Sequence, residues 1–164
     1  MDKEQNVCFN TEDGQRFRYR AAAVIIEDGC VLMATNPVAN YYYTVGGGVH
    51  LGETAEQCVE REVLEETGAA YKVDRLLFVY ENFFTDNAPT KIHGLHCHEI
   101  TLLFLMKSRG TKQLPQHEST CIDGEEHLAW LPIDKYAQYN AFPRFFATEL
   151  DPLPNSIKHI VVHG

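Results

Sequence analysis

The stretch Gly46-Gly47-Gly48-Val-His-Leu-Gly-Glu53-Thr54-Ala-Glu-Gln57-Cys-Val-Glu-Arg61-Glu62-Val-Leu-Glu65-Glu66-Thr-Gly68 constrains this chain more than any other part of its 164 residues. Three successive glycines permit backbone geometries that side chains would obstruct. Thr54 with Gln57 three positions later has the form of a capping box, and Gly68 is a natural left-handed stop, so the spacing predicts a helix over 55–67. That interval contains neither glycine nor proline.

The acids of this helix fall on a telling face. With Glu62 at zero and about 100° per residue, Glu66 falls near about 40° and Glu65 near about 300°; Ala55, Cys58, Val59 and Val63 fall near roughly 20°, 320°, 60° and 100°. A solvated charged face lies opposite the apolar stripe, whereas these three carboxylates continue it. Glu56 and Glu60 fall instead on the outer flank with Leu64 and receive no catalytic role. Inward carboxylates this close repel one another, and they protonate or disorder the helix end unless a cation neutralises them. An all-oxygen ligand set selects a hard ion, so Mg²⁺ is expected, with Mn²⁺ able to substitute.

Composition narrows the function classes. The formal charge is −9, from 23 acids against 14 bases, which disfavours nucleic acid as a partner, because phosphate-backbone binding relies on a cationic surface. A small anionic substrate is compatible with that charge if a divalent ion screens the carboxylates. No apolar run reaches the length of a membrane span, and Met1 to Thr11 has neither an apolar core nor a basic amphipathic face, so no membrane partner and a cytoplasmic location are expected. Cys8, Cys30, Cys58, Cys97 and Cys121 show no Cys-x-x-Cys spacing, which fits a reducing compartment. Cys58 lies on the inward stripe and reads as a small core residue.

The chain reads as one domain over 1–164, with no repeat, linker or low-complexity segment. Residues 17–34 read as a hairpin about the turn Glu27-Asp28-Gly29. Asn36 to Val45 reads as a loop containing Tyr41-Tyr42-Tyr43, followed by a glycine turn at 46–48. Apolar strands are expected near 73–84 and 95–107, paired antiparallel, with a short strand at 127–131, helices near 133–139 and 143–149, and a last strand at 158–163. Strands alternating with helices give an α/β class with a mixed sheet between helices.

In order, the central stretch runs Gly47, five residues, Glu53, seven residues, Arg61, Glu62, Val63, one residue, Glu65, Glu66, one residue, Gly68, and the small apolar Ala69. This fills every fixed position of the Nudix signature, and the chain resembles a MutT-like Nudix hydrolase. The resemblance implies an α/β/α sandwich with a mixed β-sheet. It also implies a metal-dependent pyrophosphohydrolase acting on a small-molecule nucleoside diphosphate derivative: a nucleoside triphosphate, ADP-ribose, a nucleotide sugar or a dinucleotide. By the same resemblance Glu62, Glu65 and Glu66 are the metal ligands, Glu65 having a catalytic role as well. Arg61 holds a glutamate by a salt bridge, and Glu53 is that supporting acid or an extra ligand. Gly46, Gly47 and Gly48 would bring backbone groups to the metal and the diphosphate. In the family the general base is often a glutamate on a distant loop, and Glu125 and Glu126, ahead of Trp130, are the candidates. Val45 and His50 stand where many members carry proline and an acid, a difference that bears on substrate or metal number.

Tyr43, at the end of the tyrosine run, is expected to contact substrate by stacking on a nucleobase. His93, His96 and His98 raise a structural metal as an option, but only His96 and His98 share a strand face. Glu81 and Glu99, in apolar strands, need partners such as Arg18, Arg20 or a metal. A noncatalytic Nudix-fold nucleotide sensor is the alternative function, and a homodimer is one option for assembly.

Overall fold

The computed structural model describes residues 5–121 and 123–164. Its strands are β1 (Cys8–Asn10), β2 (Gln15–Val24), β3 (Ile26–Glu27), β4 (Cys30–Thr35), β5 (Tyr43–Thr44), β6 (Gly46–Gly48), β7 (Val73–Thr85), β8 (His96–Met106), β9 (Ser119–Cys121), β10 (Gly124–Pro132) and β11 (Lys158–His163). The helices are α1 (Ala55–Thr67) and α2 (Phe146–Glu149), with a 3₁₀ turn at Ile133–Gln138.

The strands form two sheets. One runs β1-β2-β8-β7-β11 with β6 also on β2, and the other runs β3-β4-β10-β9 with β5 also on β4. The larger sheet is mixed: β2 with β8 and β11 with β7 are parallel, whereas β7 with β8 and β2 with β6 are antiparallel. Period-two alternation along β2 and β4 then divides the interior in two. Ala21, Ala23, Leu32 and Ala34 face Cys58, Val59 and Val63 of α1. Ala22, Val24, Val31 and Met33 face Tyr136, Phe146 and Leu150 on the other side. Helical elements therefore cover both sides of the strands, in agreement with the expected sandwich.

The expected hairpin over 17–34 is smaller than its sequence suggests. Its turn is correct: Asp28 and Gly29 have φ of 48° and 70°, and Glu27 pairs with Cys30 across them, as a two-residue turn with both central residues at positive φ requires. The long strand before it, however, leaves for the other sheet at Ile25 and pairs with β8 through Arg20 opposite Thr101. The expected helices at 133–139 and 143–149 shrink to a 3₁₀ turn and a four-residue helix. In the first, the Tyr139 N–H reaches Tyr136 O, three residues back, and in the second Pro143 leaves little chain before Leu150.

Glu27 ties the turn to the segment after β8. It is only 3% exposed. Its Oε1 accepts from the Arg109 N–H at 2.6 Å and the Tyr71 hydroxyl at 3.4 Å; its Oε2 accepts from the Ser108 hydroxyl at 2.7 Å and the Gly110 N–H at 3.1 Å. Burial pushes its carboxyl up, but the donors from Ser108, Arg109, Tyr71 and Gly110 together hold it below the ordinary carboxylate value. Stability from this group is present above the unfolded carboxylate value of 4.5 and is lost as pH falls through the lower folded value. Glu27→Gln sets an amide N–H₂ against converging donors and should cost about 2 kcal/mol at pH 7. The deficit relative to wild type should shrink below pH 4.5 in urea unfolding. A deficit unchanged between pH 7 and the acid range would show that the charge contributes nothing.

Candidate active site

The caps of α1 form as the sequence dictates. Thr54 Oγ1 accepts from the Gln57 N–H at 3.1 Å, and Gln57 Oε1 accepts from the Thr54 N–H at 3.0 Å. Gly68 closes the helix at φ 70°, its N–H bonded to Leu64 O. With both ends fixed, the apolar stripe seats against Ala21, Val45 and Val49, and the acids of the same face are carried under β6.

Arg61 organises those acids. Its Nε donates to Glu53 Oε1 at 2.7 Å and its Nη2 to Glu53 Oε2 at 3.0 Å, a bidentate pair. Its Nη1 donates to Glu62 Oε1 at 2.6 Å and lies 3.3 Å from Glu65 Oε2. The Arg61 bond, followed by the His50 N–H, holds Glu53 below the usual carboxylate range in spite of partial burial. The same carboxylates push the guanidinium upward, first through the bond to Glu53.

Two glycines make the close approach. A Cβ on Gly47 would stand 2.4 Å from the carboxyl carbon of Glu62, which is 8% exposed. Gly46 has φ 156°, and a Cβ there would meet Ala21 O at 2.4 Å. Gly46–Gly48 is thus a strand on β2 where a turn was expected, and its Gly46 N–H donates to Glu66 Oε2 at 2.9 Å.

A fifth carboxylate arrives from the other sheet. Glu126 on β10 is 8% exposed; its Oε2 accepts from the Tyr43 hydroxyl at 2.7 Å and its Oε1 from the Ser119 hydroxyl at 3.4 Å. Burial first, then the negative charges of Glu126 and Glu62, push the Glu66 carboxyl well above the ordinary range, against the opposing pull of Arg20. Arg20 is itself held by Thr44, donating to its Oγ1 and its O at 2.7 Å each.

The structure therefore gathers Gly46, Gly47, Gly48, Tyr43, Glu53, Arg61, Glu62, Glu65, Glu66 and Glu126. Glu65 departs from the inward placement expected of all three helix acids: it stands at the rim, its side chain 46% exposed and turned toward Arg61. Glu125 is exposed and alternates away from Glu126 along the strand. Glu60 bonds Lys72 and the Val73 N–H on the outer flank. Arg20, Ser119 and Asn36 are site neighbours that sequence spacing did not single out. Only the register of Arg20 opposite Gly48 reveals the first of them.

The other candidate clusters do not converge. His93 Nδ1 bonds Ala88 O, His96 Nδ1 bonds the Thr85 hydroxyl, and His98 stacks on Phe83 with centroids 4.2 Å apart. Glu99 pairs with Arg18 at 3.6 Å, and Glu81 lies 2.8 Å from His159 and 3.8 Å from His98. Among the described residues no three Asp, Glu, His or Cys side chains already stand in ligating geometry; Glu62 and Glu65 both turn to Arg61. The donor set nevertheless fits a hard divalent ion: it is all carboxylate, and the raised Glu66 marks negative charge that Arg20 does not offset.

Removing the guanidinium leaves Glu53 and Glu62 without their counter-charge in a part-buried setting. Arg61→Ala should cost about 2 kcal/mol at pH 7 in urea unfolding. The depressed Glu53 contributes stability above its unfolded value of 4.5 that disappears as pH falls through the folded value. The difference between wild type and variant should therefore narrow on acidification, and a gap independent of pH would argue against the ion pair.

The NUDIX domain family model matches residues 16–149, a span that includes β6, α1 and Glu126. A MutT-like protein of Streptomyces ambofaciens is 31% identical over 144 residues, covering 87% of this chain and 80% of that protein. An ADP-ribose pyrophosphatase of Methanocaldococcus jannaschii is 35% identical over 86 residues, which is 51% of this chain and 46% of that enzyme. Among solved structures, a MutT protein from Bacillus halodurans shares the fold at a TM-score of 0.63 and 14% identity, covering 89% of this chain and 90% of that one. The signature carboxylates, the glycine strand that admits them and the matched span agree, and the chain belongs to the Nudix hydrolase family.

Proposed function

We propose that this protein is a metal-dependent pyrophosphohydrolase that cleaves a nucleoside diphosphate linked to another group. The observation that carries this reading is the meeting of Glu62 and Glu66 from α1 with Glu126 from the other sheet, beneath a strand stripped of side chains. The similarity to an ADP-ribose pyrophosphatase supports the same bond type. Nucleoside triphosphates, ADP-ribose, nucleotide sugars and dinucleotides are the substrate candidates.

In this reading Glu62, Glu65 and Glu66 would hold Mg²⁺, which when bound would neutralise diphosphate charge and acidify water. Mn²⁺ is able to replace it. Arg61 keeps Glu53 and Glu62 oriented, so that ligand order is fixed before substrate arrives. The side-chain-free edge at Gly46 to Gly48 admits the diphosphate, and Arg20 adds positive charge nearby. Glu126 accepts a proton from the attacking water. The new bond joins water oxygen to phosphorus, and the bridging oxygen leaves with the other phosphate; catalysis is positioning and electrostatics. Glu125, on the exposed side of β10, takes no part.

Among the described residues no helix is long and apolar enough to cross a membrane. We place the protein in the cytoplasm, a reading supported by its five unbridged cysteines.

Purified protein with Mg²⁺ should release a nucleoside monophosphate or phosphate from one or more members of a diphosphate panel. EDTA should stop turnover and excess Mg²⁺ restore it. Glu66→Gln should abolish activity, and Glu126→Gln should lower kcat by about 10²–10⁴-fold. A wild type that binds nucleotides without turning any over would instead favour the noncatalytic sensor.

A further inference from the structure

Tyr43 precedes the glycine strand, where its ring would be expected to meet a base. Its hydroxyl is committed elsewhere. It donates to Glu126 Oε2 at 2.7 Å across a separation of 83 residues, and Asn36 Nδ2 approaches the same hydroxyl from behind at 3.4 Å. Asn36 is 7% exposed, and its Oδ1 accepts from the Val38 and Ala39 N–H groups at 3.1 and 2.8 Å, which fixes the amide. Asn36, Tyr43 and Glu126 thus form a directed chain in which each proton points toward the carboxylate.

Such a chain has work to do. Glu126 is 8% exposed and comes from a different sheet than Glu66, so without donors of its own its carboxylate is free to swing away from the cluster. The Ser119 hydroxyl, at 3.4 Å, is a long contact and weak opposition to that swing. The bond from Tyr43 is short, and it goes to a charged acceptor. Burial, followed by the charge of Glu126, pushes the Tyr43 phenol upward, so it remains a donor throughout the working range. Its ring meets Tyr41 edge-on at 6.2 Å, which fixes the ring plane as well.

We infer that Tyr43 is a positioning residue: its hydroxyl holds the Glu126 carboxylate against Glu66 and so places the group that receives the proton of the attacking water. This rests on the proposed hydrolase reading and assigns Tyr43 to the carboxylate cluster in place of the nucleobase. The residue reaches the reaction through Glu126 alone.

Tyr43→Phe removes the hydroxyl and keeps the ring. With a substrate from the panel, kcat should fall by about 10–100-fold, while KM stays within about twofold, because no substrate contact is lost. Tyr43→Phe combined with Glu126→Gln should be no slower than Glu126→Gln alone, since the tyrosine acts only through that carboxylate. Mn²⁺ titration followed by electron paramagnetic resonance should show several-fold weaker binding in Tyr43→Phe, because a released Glu126 withdraws negative charge from the cluster.

A raised KM with unchanged kcat would return Tyr43 to substrate binding and overturn the inference. Multiplicative losses in the double variant would overturn it too, as would Mn²⁺ affinity equal to that of wild type. The Mn²⁺ result stands whether or not a substrate is found, whereas a wild type inactive across the panel counts against the hydrolase reading alone.

Discussion

Repulsion among carboxylates is the constraint to which the rest of this structure answers. Glu62, Glu65 and Glu66 occupy one side of a single helix, and Glu53 and Glu126 approach from a turn and from a second sheet. A helix bearing that charge on its inner face needs fixed caps, a cation within reach, and a neighbour without side chains. Thr54 and Gly68 supply the caps, Arg61 supplies the cation, and β6 supplies the neighbour. The apolar stripe of Cys58, Val59 and Val63 then determines how deep the charge is carried.

What could be read from the chain follows sequence distance. The span of α1 was legible because its determinants, the capping box and the C-terminal glycine, lie within three or four residues of what they control. The Asp28-Gly29 turn and β11 were legible for the same reason. The partner of β2 was not: parallel pairing with β8 joins residues about eighty positions apart, and alternation along a strand does not name its neighbour. Three glycines together suggest a turn, but pairing with Ala21 and Ala22 makes them a strand. The two C-terminal helical segments are shorter than the sequence suggests, since a proline start and apolar spacing predict onset better than length.

The same distance rule separates the site into two parts. Glu62, Glu65, Glu66, Arg61 and Glu53 belong to one local signature, and the structure brings them together. Glu125 and Glu126 were equivalent in sequence; only the face of β10 that turns inward distinguishes them. The role of Arg20 depends on a contact between the two sheets, and those of Asn36 and Ser119 on how a loop and a hairpin fold back on Tyr43 and Glu126, which spacing alone does not encode. Glu27 is similar: its donors Ser108, Arg109 and Gly110 lie more than eighty residues away, so a buried acid with a structural purpose looked in sequence like an ordinary turn residue.

The bond from the Gly46 amide to Glu66 has a mechanical corollary. It rivets the last turn of α1 to the strand beside it, while Arg61 ties the middle of α1 to Glu53 in the turn ahead of the helix. A rod held at two heights resists rolling and sliding, so its acidic face is a fixed surface. Any adjustment beside that surface therefore falls to the connecting segments rather than to α1.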